Sequence, residues 1–214
     1  MERTQTAKRW ERRKDARPAE IVAAALQLFA DRGFAATRLE DVATVAGVSK
    51  GTVYLYFESK EQLFEAVVRE SVAPNIARAE ALVDGWDGST PDLLRAFFAF
   101  IGAVLETPIT GVMKLIVSES GNFPQLARMY AYLVLRRAFA LMRRILERGV
   151  TRGEFRPLDI EATVPLVISP IVLLGVWKHS FGLHTDLALD RRRVLEAHCE
   201  ILLRGLAPQL GGRP

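Results

Sequence analysis

Apolar residues recur three or four positions apart along most of the chain, as they do on the buried face of an α-helix. No stretch shows the sustained alternation of apolar and polar residues that marks a half-buried strand. The first apolar face includes Ile21, Ala25 and Leu28, and it lies between Pro18 and Gly33. Because proline favours a first helical turn and glycine favours a helix end, this pattern predicts a helix that begins near Pro18. The prediction for the whole chain is an all-α fold.

Residues 37–62 contain three helix starts in close succession. Each start has a residue that caps helices, and two of them have the glutamate or glutamine of a capping box three positions later. These residues are Thr37 with Glu40, Ser49, and Ser59 with Gln62. Gly47 supplies the open backbone that ends the first of the three helices. The sequence therefore predicts helices over residues 38–46 and 49–57, and a third from residue 60 toward residue 82 with a bend near Pro74.

Two short helices joined by a tight turn with glycine define a helix-turn-helix, whose second helix enters the major groove of DNA. Val53 and Phe57 lie four residues apart in that second helix and are predicted to face inward. The opposite face then carries lysine, threonine and tyrosine, which can bind bases or phosphates. The predicted DNA-binding residues are Thr37, Ser49, Lys50, Gly51, Thr52, Tyr54, Tyr56 and Lys60. For Thr37 and Ser49 the alternative is a purely structural role as caps.

Residues 17–64 resemble the DNA-binding domain of the TetR/AcrR family of regulators. The resemblance is carried by residues 28–64, and most specifically by VSKGTVYLYFESKEQLF over residues 48–64. It implies base contacts for Lys50, Gly51, Thr52 and Tyr54, and phosphate contacts for Thr37, Tyr56 and Lys60. Leu55 departs from the family pattern, because relatives often carry a polar or aromatic DNA contact at that position.

Four or five further helices are predicted beyond DGWDGSTP at residues 84–91, a segment rich in turn formers. They cover about residues 91–106, 109–120, 123–150, 158–182 and 187–207, which makes about nine helices in all. The family resemblance implies that this half binds a small effector in its interior and forms a homodimer through the last two helices. Their large apolar surface supports a partner. Residues 115–126 are similar to a segment of an AefR-like subgroup.

Aromatic and sulfur-containing side chains in the second half are candidates for the effector pocket, although such residues are more often plain core. The candidates are Phe97, Phe100, Met113, Ile116, Phe123, Met129, Tyr130, Phe139 and Trp177. Two arginine pairs, at residues 136–137 and 143–144, leave two alternatives open. They could bind an acidic effector, or they could form a solvated and salt-bridged face.

Charge adds one feature to this picture. The net charge of +4 is too small to indicate nucleic-acid binding by itself, but residues 1–17 carry seven lysines and arginines against three acidic residues. Residues 1–16 are therefore predicted to form a mobile basic arm. Such an arm either lies along a phosphate backbone or is a solvated tail, and the sequence leaves both open.

Several other functions find no support in the sequence. Cys199 is alone, which fits a reducing cytoplasm, and the charged N-terminus is unlike a secretory signal. The longest uncharged run, residues 162–177, has 16 residues where a membrane span needs about 20. His179, His184 and His198 lack the spacing of paired metal ligands, so structural or surface roles are expected. Without a nucleophile elbow or a phosphate-binding glycine loop, the chain is predicted to be no enzyme and to need no cofactor.

These observations predict a basic arm over residues 1–16, a DNA-binding domain over residues 17–63, and an effector-binding and dimerisation domain over residues 64–214. The expected function is that of a homodimeric, ligand-responsive regulator that acts as a repressor on a near-palindromic operator. One alternative is a regulator without an effector, and another is a helical enzyme or carrier that keeps the motif as a scaffold.

Overall fold

The computed structural model describes the backbone of residues 2–208 and the side chains of residues 17–208. All regular elements in this range are helices, so the all-α prediction is confirmed. The α-helices are α1 Glu2–Arg32, α2 Leu39–Val45, α3 Lys50–Tyr56, α4 Lys60–Val67, α5 Ala73–Asp84, α6 Thr90–Leu105, α7 Thr110–Glu119, α8 Pro124–Tyr130, α9 Arg136–Thr151, α10 Ile160–His179 and α11 Arg191–Leu206. A short 3₁₀ turn at Phe181–Leu183 follows α10.

Two π-helical turns join consecutive α-helices without a break. Val68–Val72 connects α4 to α5, and Ala131–Leu135 connects α8 to α9. Pro74 lies in the first turn of α5. Because proline cannot donate the next helical hydrogen bond, the wider π turn before it accommodates the missing donor at the predicted bend. Counted through these turns, residues 2–208 form nine continuous α-helices, as predicted.

The first helix begins earlier than predicted. α1 runs from Glu2 and continues through Pro18, so the prediction of a start near Pro18 is wrong. Proline keeps a helical φ and removes a single hydrogen bond, while the preceding residues include many arginines, lysines and alanines, which are strong helix formers. The side chains of the predicted basic arm lie outside the described residues, so its contact with DNA stays a prediction.

Local capping explains two of the three helix starts in the N-terminal domain. The Ser49 hydroxyl accepts a hydrogen bond from the Thr52 amide at 3.1 Å, and the Ser59 hydroxyl accepts one from the Gln62 amide at 3.1 Å. Both predicted N-caps are therefore confirmed. The Gln62 side chain accepts from the amide of Glu58 at 2.6 Å, one residue before the position that a capping box predicts.

The predicted cap at Thr37 is wrong. Arg38 occupies the N-cap position of α2 and makes no side-chain cap hydrogen bond. Gly33, with φ of +83°, ends α1 in the left-handed region that glycine tolerates best. The Thr37 hydroxyl is thereby brought to the Gly33 carbonyl, to which it donates at 2.7 Å, and it is almost fully buried. It holds the end of α1 rather than the start of α2.

One hydrophobic core contains side chains from helices α1, α2, α3 and α4 together with side chains from α7 and α8 of the second half. Phe29, Phe34 and Phe64 lie at its centre, with ring centroids 5.5 to 5.8 Å apart. Leu115 of α7 and Leu126 of α8 belong to the same buried cluster. The N-terminal helices therefore rest directly on α7 and α8.

A second core lies between α5, α6, α9, α10 and α11. Its fully buried side chains include Leu94 of α6 and Met142 and Ile145 of α9. Aspartates set the starts of the last two helices, because Asp159 and Asp190 each accept a hydrogen bond from the amide three residues later, at 3.1 Å. These caps place α11 about four residues later than the sequence pattern predicts.

Much of the apolar surface of α10 is uncovered. The segment Ile160–Leu183 is long and apolar enough to cross a membrane, and 28% of its most apolar window is buried inside the protein. Leu166 and Leu173 of α10 are 66% and 53% exposed, and Ile201 of the adjoining α11 is 70% exposed. Burying these apolar side chains away from water would lower the free energy of the protein.

Candidate DNA-binding surface and effector cavity

The inner side of the helix-turn-helix is fixed by a tight turn and by burial. Gly47 adopts φ of +65°, which lets the amide of Val48 donate to the Ala43 carbonyl at 3.0 Å. Val53 of α3 is fully buried and Phe57 is 7% exposed, so both face inward as predicted. With this side anchored in the core, the opposite side of α3 must face solvent.

That outer side carries the four residues predicted to face bases. Lys50, Gly51 and Tyr54 are exposed and Thr52 is half-buried. The Thr52 hydroxyl shares a hydrogen bond of 2.8 Å with the Ser49 hydroxyl, which orients both at the N-terminus of α3. Leu55 beside them is 75% exposed. An exposed leucine on this face offers an apolar contact of the kind that a thymine methyl group accepts.

Lys50 has an acidic partner that the sequence analysis assigned to a different role. Its Nζ lies 2.5 Å from Oε1 of Glu40 on α2 and 5.6 Å from the centroid of the Tyr54 ring. The hydrogen bond that the Lys50 ammonium donates to the Glu40 carboxylate lowers the pKa of Glu40 and raises the pKa of Lys50. Because both groups are exposed, the ion pair is weak and can open. The pair with Glu40 uses one of the three donors of the Lys50 ammonium, so its carboxylate competes with a base or a phosphate for this lysine.

Lys60 is committed to the loop between α1 and α2. Its Nζ donates to the carbonyl oxygens of Phe34 at 2.6 Å, Ala35 at 3.1 Å and Thr37 at 3.0 Å. It also lies 4.5 Å from the centroid of the Phe34 ring, and burial lowers its pKa. All three donors of the ammonium are used. The phosphate contacts predicted for the side chains of Lys60 and Thr37 would require these internal hydrogen bonds to break.

Tyr56, the remaining predicted phosphate ligand, follows the exposed Leu55 on α3. It is half-buried and packs against the N-terminal core. Successive residues of a helix point about 100° apart, so Tyr56 does not share the direction of Leu55. The exposed part of α3 and its N-cap carries Ser49, Lys50, Gly51 and Tyr54, with Thr52 half-buried beside Ser49.

A cavity of about 130 Å³ lies inside the second half, between α5, α6, α7, α9 and α10. Five of the nine predicted effector residues line it, namely Phe97, Phe100, Met113, Tyr130 and Phe139. Ile116, Phe123 and Met129 instead pack against the N-terminal core, and Phe123 meets the Phe34 ring at 4.9 Å. Trp177 lies on an outer groove against Phe181. Helical spacing alone found the aromatic residues but not the helix side on which each one lies.

The cavity is also lined by residues that were not predicted from the sequence. Asn75, Ile76, Thr110, Ile168 and Val172 all border the cavity. Thr110 is buried, and its hydroxyl donates to the Thr107 carbonyl at 3.0 Å and lies 2.7 Å from Nε2 of His179. Burial lowers the pKa of His179, so its ring is neutral at neutral pH. This histidine is structural, as expected, and links α7 to α10.

Three of the four arginines in the two pairs form ion pairs on the outer face, and Arg136 lies 5.9 Å from the centroid of the Tyr132 ring. Arg137 makes a two-pronged pair with Glu80, at 3.0 and 2.6 Å, and holds the pKa of that carboxyl below its usual range. Arg143 and Arg144 pair with Glu161 and Asp84. None of the four arginines lines the cavity. The structure therefore favours the second of the two alternatives, the salt-bridged face. In the part of the chain that the structure describes, no three His, Cys, Asp or Glu side chains come together as metal ligands.

Two family models cover most of the chain. The one described as bacterial regulatory proteins of the tetR family matches residues 21–67, and the one described as a tetracyclin repressor-like C-terminal domain matches residues 87–180. Among curated proteins, the HTH-type transcriptional repressor KstR2 of Mycolicibacterium smegmatis is 26% identical over 196 residues, which cover 91% of this chain and 92% of KstR2.

Solved structures agree with this assignment at the level of the fold. The fatty acid degradation regulator FadR of Bacillus halodurans has a TM-score of 0.72 at 20% identity, covering 87% of this chain and 94% of FadR. FadR of Bacillus subtilis, solved with stearoyl-CoA, has a TM-score of 0.64 at 20% identity, covering 88% and 98%. The similarity of residues 115–126 to the AefR-like subgroup stays a prediction. The chain belongs to the TetR family of transcriptional regulators, which are not enzymes.

Proposed function

We propose that this protein is a ligand-responsive repressor that binds a near-palindromic DNA operator as a homodimer and releases it when a small molecule occupies the cavity. The observation that carries the proposal is the outer face of α3, where Lys50, Thr52 and Tyr54 lie together on a helix anchored by Val53. TetR-family regulators bind DNA operators, usually as dimers, and respond to small-molecule effectors. A helix of this kind reads base edges in the major groove.

In the proposed complex, Lys50 exchanges Glu40 for a guanine or a phosphate, and Tyr54 and Leu55 contact neighbouring bases. The exchange is favourable because DNA concentrates negative charge along its backbone, and each phosphate neutralised releases counterions. Ser49 lies at the N-terminus of α3, where free amides favour a phosphate. Tyr56 is proposed as a further phosphate contact at the edge of this surface.

The proposed dimer interface is the exposed apolar side of α10 and α11. Leu166, Leu173 and Ile201 lie on these two helices and remain largely uncovered in one chain. Helix α10 is apolar on both sides, and the side with Val167 and Leu174 already lies in the core. Burial of the other side against a second copy accounts for its apolar residues. Half-sites one DNA turn apart are about 34 Å from each other, so the proposed two-fold dimer has to hold its two α3 helices at that spacing. This interface also accounts for α10 without a membrane, and a cytoplasmic location follows from the proposed function.

The proposed link between cavity and DNA is α7. Thr110 and Met113 of this helix line the cavity. Between them, Gly111 packs so closely on α1 that a Cβ on it would lie 2.6 Å from the Cβ of Ala30. A ligand that moves α7 must therefore move α1 and the domain built on it. Couplings between two such sites are typically about 1–3 kcal/mol, and they require a ligand that binds the two arrangements unequally.

A second candidate function is a TetR-family regulator that responds to no ligand. The observation that favours it is the size of the cavity, about 130 Å³, because most ligand pockets measure roughly 300–1,000 Å³. The two candidates share the DNA-binding surface and differ only in the role of the cavity.

The test is selection of bound sequences from random duplex DNA by the full-length protein at two salt concentrations. The proposal predicts an inverted repeat, with affinity that falls steeply as salt rises. Lys50→Ala and Tyr54→Ala should enrich the repeat at least about tenfold more weakly than the parent protein, whereas Arg192→Ala, which removes an exposed arginine of α11, should enrich it as strongly as the parent. Recovery of no motif by the parent protein would contradict the proposal and favour a carrier.

A further inference from the structure

The interior cavity has an unusual balance of polar and apolar lining. Eighteen of its twenty-one lining residues are apolar, and no aspartate, glutamate, lysine, arginine or histidine is among them. The polar members are Asn75, Thr110 and Tyr130. A charged ligand group placed here would lose its hydration without gaining an ion pair, which is unfavourable. The lining therefore selects for neutral compounds.

Two of the three polar side chains already have partners. The Asn75 amide donates to the Ser71 carbonyl at 3.0 Å, and the Thr110 hydroxyl bonds to the Thr107 carbonyl and to His179. Tyr130 differs from both, because its side chain is 5% exposed while its hydroxyl has no hydrogen-bond partner among the described residues and is not sealed off as a fully buried atom. A ligand atom in the cavity can therefore pair with the Tyr130 hydroxyl without displacing a protein partner.

The state of this hydroxyl at neutral pH is defined by its surroundings. Burial raises the pKa of Tyr130 to about 12, so the hydroxyl keeps its proton and can donate it. A phenolic hydroxyl can also accept a hydrogen bond. The complementary ligand group is therefore a neutral oxygen, such as a hydroxyl or a carbonyl.

The cavity volume limits the rest of the ligand. An apolar cavity of about 150 Å³ is known to hold one benzene ring. The volume here is about 130 Å³, so one six-membered ring fills most of it, while a long acyl chain exceeds it. Phe97, Phe100 and Met113 supply aromatic and sulfur surfaces against which a flat ring packs favourably.

We propose that the cavity binds a neutral single-ring compound with one hydrogen-bonding oxygen, such as a phenol, with its oxygen at the Tyr130 hydroxyl and its ring beside Phe97, Phe100 and Met113. The inference rests on the proposed function, since it names the chemical class of effector for the same cavity.

The experiment is calorimetric titration of the full-length protein with p-cresol, toluene and 4-methylbenzoate, three compounds that share a ring and differ in one group. The parent protein should bind p-cresol about three- to tenfold more tightly than toluene, the range expected for one neutral hydrogen bond, and should not bind 4-methylbenzoate. In Tyr130→Phe the preference for p-cresol over toluene should disappear. Tyr132→Phe, a matched change at a tyrosine that is 65% exposed, should keep it.

A filled cavity supplies a second check that is independent of the hydroxyl. Ala138 lines the cavity, so Ala138→Leu should abolish binding of both p-cresol and toluene. The inference is overturned if p-cresol fails to bind the parent, if Tyr130→Phe keeps the p-cresol preference, or if 4-methylbenzoate or stearoyl-CoA binds more tightly than p-cresol.

The same samples with selected operator DNA separate this inference from the proposed function. Binding of p-cresol with the predicted preference but without weakening of operator binding would support the ligand class and contradict the ligand response. Release of the operator by stearoyl-CoA, with no binding of p-cresol, would support the ligand response and overturn the ligand class.

Discussion

The two halves of the molecule differ in the chemistry of the side chains that they leave exposed. The short helix α3 exposes Lys50 and Tyr54. Its inner side is held by the tight turn before the helix and by the buried Val53. The long helices α10 and α11 expose Leu166, Leu173 and Ile201. Protein–DNA interfaces are polar and positively charged, whereas the centres of protein dimer interfaces are apolar. The difference supports the proposal that the two halves serve different partners, DNA for the first and a second copy of the chain for the other.

The contrast does not extend to the interior, where the two halves are joined. α7 belongs to the second half in sequence, yet Val112 and Leu115 lie in the same buried cluster as Phe29 and Phe64. The proposed DNA-binding surface is therefore supported by a helix that also borders the cavity. This shared helix makes the comparison testable, because changes on one side should be felt on the other.

The largest expected effect comes from the centre of the N-terminal core. Phe64→Ala removes a fully buried ring that packs edge-on against Phe29 and Phe34, so it should lower the free energy of unfolding by about 3–5 kcal/mol. Phe139→Ala removes a ring of the second half that is 39% exposed, so it should lower the free energy of unfolding by less than half of that amount. Urea denaturation measures both. Equal losses would show that the two halves do not differ in packing as described.

The next effect concerns the contact between α7 and α1. Gly111→Ala places a methyl group 2.6 Å from the Cβ of Ala30, and overpacking of this kind costs about 1–3 kcal/mol. Ala30→Gly should relieve the clash, so the double variant should be more stable than the sum of the single changes predicts. Denaturation of the four proteins gives the coupling. Strict additivity would argue against a direct contact.

A smaller effect is expected at the ion pair beside α3. Glu40→Gln frees Lys50 and removes a carboxylate from the DNA-facing side, so binding to duplex DNA should tighten by about two- to fivefold, as expected for an exposed pair. Glu196→Gln, which opens the pair with Arg192 on α11, is the control and should change nothing. Fluorescence anisotropy measures both. Weaker binding by Glu40→Gln would mean that Glu40 positions Lys50 rather than restraining it.

The smallest effect is a pH dependence in the second half. Because burial lowers the pKa of His179, the unfolded chain binds its proton more readily than the folded chain does. Stability from this group is therefore fully present above pH 6.5 and is lost as pH falls below it, toward the folded pKa. Denaturation between pH 7.5 and 5.5 should show that the free energy of unfolding falls as the pH falls, and that it falls less in His179→Asn than in the parent protein. Equal slopes for the two proteins would exclude His179 as the cause.

Features that depend on near neighbours in sequence could be predicted. The caps at Ser49 and Ser59 and the inward faces of Val53 and Phe57 each depend on residues at most four positions away. The cap predicted at Thr37 is wrong although the partner of its hydroxyl, the Gly33 carbonyl, is only four positions away. Two local arrangements compete there, and the left-handed turn at Gly33 favours the bond to the end of α1 over the cap of α2.

Features that depend on how helices cross could not be predicted. Lys60 reaches carbonyls 23 to 26 residues away, and no spacing rule connects them. For the cavity, periodicity identified apolar faces, but the side of α8 that meets the cavity was decided by packing, so Tyr130 lines it and Met129 does not. Asn75 and Ile168 were missed because the orientations of α5 and α10 are set by the second core.

The central claim is that the outer face of α3 reads DNA sequence. Its most direct test is the ratio of affinities for the selected operator and a scrambled duplex, measured at one salt concentration for the parent protein and for Tyr54→Ala. The parent should prefer the operator by about 10³-fold or more, and Tyr54→Ala should lower that ratio by about tenfold or more while binding the scrambled duplex equally well. An unchanged ratio in a folded Tyr54→Ala protein would contradict the account and place recognition elsewhere on the molecule.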